Sequence, residues 1–227
     1  MESERLIPLL KVAALLALTV GCRTLPPPAE RVTSLLDRAH RQLPVRWDAI
    51  QTVIFEIKPH WWWPTVRMTI LGYAAADSST GDYRLVCLSP LGMKMFEISR
   101  IGGRESVSIP TPELFDKADF LNSVRRDASR LVGLDLPRQF RVAHWDSSRL
   151  TIEDTSAPLT RTRYVLSISN ATLLEKSYYE GGHCLADVAY SDYHTVDGVM
   201  VPYRVVLRNR EHDYRLSLAV KEFHPQR

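Results

Sequence analysis

A chain of 227 residues, 45% hydrophobic and 24% charged, can build one domain with a sizeable core and is short for two. Its 29 basic and 26 acidic residues leave a formal charge of +3, too balanced for a nucleic-acid partner although compatible with an anionic membrane surface. No charge run, low-complexity tract or internal repeat interrupts it, which sets repeat architectures aside.

The N-terminus stands apart. Arg5 and Lys11 precede an apolar run from Val12 to Gly21 that is too short for a stable transmembrane helix and fits the core of a signal peptide. Thr19-Val20-Gly21-Cys22 resembles a bacterial lipobox, in which the cysteine is lipidated and becomes the mature N-terminus. Residues 1–21 therefore read as a lipoprotein signal peptide, and the plain alternative is an ordinary secretory signal with a cysteine nearby. Several acyl chains on Cys22 would anchor the protein durably, because each buried methylene contributes about 0.8 kcal/mol. Residues 22–30, with three consecutive prolines, read as an extended tether, and residues 31–227 as the domain. Outside the cytoplasm Cys87 and Cys184 could pair or stay separate, and spacing decides neither.

Along the domain, Val32, Leu35, Leu36, Ala39 and Leu43 have helical spacing up to Pro44. Strands are then expected at Ile50–Lys58, Thr65–Tyr73, Asp82–Leu88, Met93–Arg100 and Glu105–Ile109, separated by turns such as Ser89-Pro90-Leu91-Gly92. The period changes over Pro112–Gly133, where Leu114, Phe115, Ala118, Leu121, Val124, Ala128 and Leu131 predict an amphipathic helix ended by Gly133. Strands resume at Phe140–Trp145, Arg149–Asp154, Arg161–Ser169, Thr172–Glu180, Cys184–Ser191, Val201–Arg208 and Asp213–Phe223, with Asp197-Gly198 as a turn. The expected fold is mainly β (α+β): an antiparallel, unclosed half-barrel of about eleven strands, with an N-terminal helix and an inserted helical lid over an apolar hollow.

The polar residues offer no catalytic constellation. There is no G-x-S-x-G elbow, H-E-x-x-H pair or phosphate-binding glycine loop. His183 and Cys184 would alternate sides of a strand, and Asp192 with His194 lacks a third ligand at metal-like spacing. The chain reads as a non-enzyme with no metal or other cofactor.

Two stretches carry a resemblance. Asp82–Ile98, a strand, a Pro-Leu-Gly turn and a strand, resembles LolB of the LolA/LolB lipoprotein-localisation superfamily. So does the order that follows, with the Gly-x-x-Leu-Pro element at Gly133–Pro137, then Trp145, then the closing strand pair in Val199–Phe223. The resemblance implies an unclosed β-barrel whose hollow accepts the acyl chains of lipoproteins or another lipid, and a monomeric outer-membrane lipoprotein facing the periplasm. It also implies a LolA-like periplasmic carrier as a partner, and a membrane-delivery role for Leu91, whose plain alternative is a turn leucine folded back on the sheet.

Inward positions on the strands and lid, Ile54, Met68, Ile70, Met95, Phe115, Leu121 and Leu131, are the candidate hollow, with ordinary core packing as the alternative for each. Trp61, Trp62 and Trp63 join the first two strands at the same sheet end as Leu91, and three neighbours on an extended chain cannot all face inward. They read as a membrane-facing tip or as a plug at the barrel mouth. A scaffold lipoprotein in an envelope assembly or sensing complex is the alternative function.

Overall fold

A computed structural model of the protein describes residues 29–57, 65–108, 118–157 and 159–226. The helix α1 spans Ala29–Gln42 and presents Val32, Leu35, Leu36 and Ala39 to the core, the stripe that three-to-four spacing requires. Arg38 Nη2 donates to the Ile168 carbonyl at 2.8 Å, tying α1 to a strand turn far along the chain.

Five strands follow: β1 (Arg46–Ile57), β2 (Val66–Asp77), β3 (Asp82–Leu88), β4 (Lys94–Ile101) and β5 (Arg104–Ser108). After the helix α2 (Ala118–Val132) come β6 (Phe140–Trp145), β7 (Arg149–Asp154), β8 (Thr160–Ser167), β9 (Leu173–Glu180), β10 (His183–Val196), β11 (Val199–Asn209) and β12 (Tyr214–Gln226). The hairpin between β10 and β11 turns on Asp197 (φ 49°) and Gly198 (φ 84°), the two successive positive dihedrals that a two-residue hairpin loop demands.

All twelve strands form one antiparallel sheet in the order β5-β4-β3-β2-β1-β12-β11-β10-β9-β8-β7-β6. Each neighbour in an arm is also the neighbour in sequence, except at the centre, where β1 pairs with β12 over Arg46↔Gln226 to Ile57↔Tyr214. The free edges β5 and β6 mark the open seam. Both are short, and β5 is almost wholly polar and exposed, features that keep an unpaired edge from recruiting another strand. This is the expected unclosed half-barrel with two helices.

Several strands run longer than alternation alone predicts. β1 begins at Arg46 and β2 reaches Asp77, because Ala74, Ala75 and Ala76 pair with Ala49, Asp48 and Trp47 although alanine has little strand preference. Small side chains there make room for Trp47, which stacks on Phe223 at 5.6 Å.

Among the described residues no helix is long and apolar enough to cross a membrane. Cys22, the signal peptide, the tether up to Pro28, Trp61 to Trp63 and Phe115 lie outside the described residues.

Candidate functional site

The concave face of the first arm carries an apolar hollow of about 90 Å³, roofed by α2. Alternation along β1 and β2 sends Val53, Phe55, Met68 and Ile70 into it, and the cross-strand pairs Val53↔Ile70 and Phe55↔Met68 place these side chains side by side. Leu85 and Cys87 of β3, Phe96 and Ile98 of β4, and Leu216 and Leu218 of β12 continue the wall. Val124, Ala128 and Leu131, at helical spacing on one face of α2, close the roof.

Gly72 deepens the floor. A Cβ there would sit 3.0 Å from Val53 Cγ2 and 3.1 Å from Gln51 Cγ, so space rather than backbone dihedral demands glycine. Leu131 also borders a second space of about 40 Å³ beneath Trp47, Phe223 and Leu134, which makes it a partition between two chambers. On this scale one water needs about 10–15 Å³. The larger chamber has room for a short aliphatic stretch, and its walls bear only Gln51, Tyr73 and Tyr214 as polar types.

The ring of Tyr214 lies 5.3 Å from that of Phe55, while its hydroxyl points into a buried network under α2. Asp127, 1% exposed, accepts hydrogen bonds from the Tyr214 hydroxyl, from Asn209 Nδ2 at 2.8 Å and from Arg130 Nη1 at 2.7 Å. Ser123 joins Asn209 and Tyr214 at 3.1 Å each. Burial, reinforced by the Asp127 carboxylate, pushes the Tyr214 hydroxyl well above its ordinary pKa, so it stays a donor. Beyond the helix, buried Lys176 donates to the Gly133 carbonyl at 2.5 Å and to Asp135 at 3.2 Å. The Lys176 charge holds the Asp135 carboxyl below its ordinary range. The roof is thus fastened to the second arm by polar contacts and rests on the first arm through apolar ones.

Of the residues expected in the hollow, Met68, Ile70 and Leu131 line it. Ile54 does not: it lies between Val53 and Phe55 on the outer face, half-buried opposite Thr69 and Ser217. A strand that is apolar at Val53, Ile54 and Phe55 has no alternation from which to read its inner side, and Gln51 on the inner face reverses the usual cue. Met95 packs against the core without lining the hollow, beside inward Phe96. The side chain of Leu121 lies outside the described residues. Leu91 stands out at 85% exposure in a turn closed by Ser89 N–H donating to the Met93 carbonyl at 2.8 Å, with Gly92 at φ 80°.

Cys87 and Cys184 are both free. Cys87 lies in the hollow wall, where burial pushes its thiol up to about 12. His194 contacts Asp192 at 3.1 Å on the surface, and His183 sits at the other end of β10. Among the described residues no group of three or more His, Cys, Asp or Glu could hold a metal ion.

The hollow, the roof and the seam define a class: unclosed antiparallel half-barrels with a helix across an apolar concave face. Solved structures similar to it in fold include a LolA superfamily protein from Nitrosomonas europaea, matched over 86% of this chain and 93% of that one at a TM-score of 0.58 and 13% identity. A DUF1329 family protein from Desulfovibrio piger matches over the same shares at a TM-score of 0.52 and 11% identity. The chain therefore has the fold of these proteins. No family model and no curated protein matches its sequence.

Proposed function

We propose that this protein is a membrane-anchored envelope lipoprotein that takes a lipid, or the acyl chains of a lipoprotein, into its hollow and passes it to a membrane without covalent chemistry. The observation that carries the reading is the space itself: an interior cleft of about 90 Å³ walled almost entirely by apolar side chains, where an ordinary core would be filled. An aliphatic chain gains there by leaving water, about 0.8 kcal/mol per methylene. A full acyl chain exceeds the space beneath α2, so loading requires the roof to lift. The fold shared with a LolA superfamily protein supports the reading, as does the LolB-like Pro-Leu-Gly turn. Transfer then needs only that the destination hold the ligand more tightly than the hollow does. Leu91 is the proposed delivery tip, Cys22 the lipid anchor, the outer membrane facing the periplasm the location, and a LolA-like carrier the donor.

The test is displacement of a fluorescent fatty acid from the chain beginning at Arg23, together with mass spectrometry of organic extracts of the purified protein. Micromolar displacement by long-chain lipids and a co-purifying acyl species are the expected results. A hollow that neither binds the probe nor yields lipid would sink the proposal and favour a scaffold role.

A further inference from the structure

We infer that one end of the half-barrel, on both sides of the seam, docks on an anionic phospholipid bilayer through two leucine-tipped turns and an arginine-rich outer face. The inference extends the reading in which the ligand is passed to a membrane, and it concerns a second turn and a face to which that reading gives no role. The two most exposed large apolar side chains of the described residues are Leu91, at 85%, and Leu159, at 83%. The topology puts them at the same end. β3 runs into the Leu91 turn; β3 is antiparallel to β2, β2 to β1, β1 to β12, and so on through to β8, which starts just after Leu159 at the end where β1 finishes.

In the strand order each turn includes the strand next to a free edge, β4 beside β5 for Leu91 and β7 beside β6 for Leu159. The leucines therefore flank the seam, one on each arm. Met93, 63% exposed, adds to the Leu91 side.

Charge marks the partner. On the outer face from β6 to β11, near this end, Arg141, Arg161 and Arg163 share the one carboxylate of Glu153, at 2.6, 3.5 and 3.0 Å. The guanidinium groups of Arg161 and Arg163 lie over the Tyr179 ring at 4.6 and 5.2 Å, which holds them splayed on the surface. Register continues the row to Asp187 and exposed Arg208, and Arg210 pairs with Asp187 at 2.7 Å. With Glu175 also on this face, five arginines meet three carboxylates; nearer the Leu159 tip, Glu180 lies opposite Thr160 and Asp154 ends β7, so the cationic excess belongs to the outer face behind the tip. Separate aliphatic tips on opposite flanks of the seam suit a plane soft enough to admit both, whereas a protein partner would need two matching pockets. Aliphatic tips at one end, with an arginine-rich face on one arm, are what the boundary of an anionic bilayer accommodates.

The test uses the chain from Arg23, which keeps every described element, and sedimentation with vesicles of phosphatidylcholine alone or with one third phosphatidylglycerol. Binding is expected on the anionic vesicles and to fall steeply as salt rises. Leu159→Ser should weaken it about fivefold, Leu91→Ser with Leu159→Ser about tenfold or more, and Arg208→Gln about fivefold on anionic vesicles alone. Fatty-acid displacement by the same variants should be unchanged, which separates docking from the hollow. Equal binding by wild type and the double leucine variant, or equal binding to both vesicle types, overturns the inference. Loss of probe binding with docking intact overturns only the proposed cargo.

Discussion

Gly72 and Cys87 are cross-strand partners on β2 and β3, and both look into the hollow. Gly72 keeps the floor open, since any side chain must push aside Val53 and Gln51. Gly72→Val should cost about 1–3 kcal/mol of stability through overpacking and should abolish fatty-acid displacement by filling the cleft. Urea titration and the displacement assay check the two halves of that expectation. The Cys87 thiol, pushed up to about 12 by burial, is almost wholly protonated at neutral pH and hence a poor nucleophile. Burial raises the Cys184 thiol as well, but that residue is only half-buried. Alkylation at pH 8 should therefore modify Cys184 first, and saturating fatty acid should slow Cys87 further while leaving Cys184 unaffected. Peptide mass spectrometry over a labelling time course reads both rates, and faster labelling of Cys87 would contradict the closed hollow.

At the scale of elements, α2 is the part on which the proposed lipid binding depends. Among the described side chains its apolar face gives Val124, Ala128 and Leu131 to the main chamber, while Asp127 on its other side is bound by Asn209, Tyr214 and Arg130. Removing that carboxylate takes the shared acceptor from three donors and leaves the Arg130 guanidinium without its ion pair, while Ser123 keeps its contacts with Asn209 and Tyr214. Asp127→Ala should cost about 3 kcal/mol. Amide exchange in α2 should accelerate more than in the central strands β1 and β12, because the roof loses its fastening while the ladders keep theirs. Uniform acceleration across the sheet would mean that the network supports the whole fold and is not a latch. The helix itself was legible from three-to-four spacing, and Gly133 does follow its last residue. What the spacing could not reveal is that Ser123 and Asp127 face inward, since polar residues in an amphipathic pattern read as solvated unless a buried partner such as Asn209 is known.

The whole molecule is stitched at its far end by two aspartates, one in each arm. The Ser79 hydroxyl and the Arg46 guanidinium hold Asp77 at about 2, and the Ser148 backbone N–H and hydroxyl, with the Arg149 N–H, hold Asp146 at about 2. Both lie below the ordinary 3.8, so each contributes stability that is complete above that value and is lost as pH falls through about 2. Burial pushes Glu153 upward, and hydrogen bonds from Arg141 and Arg163 more than offset this, which adds in the same direction. The thermal midpoint should therefore fall between pH 4 and pH 2. Asp77→Asn should flatten that fall and lower the midpoint chiefly above pH 4. A midpoint insensitive to acid down to pH 2 would contradict these pairings.

The sequence by itself determined the element types and nearly all the turns, because strand alternation, helical spacing and residues such as Asp197-Gly198 are local properties of the chain. It also showed that one apolar face must be covered, and the Pro-Leu-Gly turn at Leu91 was readable as a turn from its residues alone. Only the tertiary structure decided which face is inner on β1, where Val53 and Phe55 displace Ile54, since a period of two states alternation but not its sign. It alone paired β1 with β12, residues almost a whole chain apart with no local signal to announce the contact. From that pairing follow the seam, the hollow under α2, and the meeting of Leu91 and Leu159 at one end.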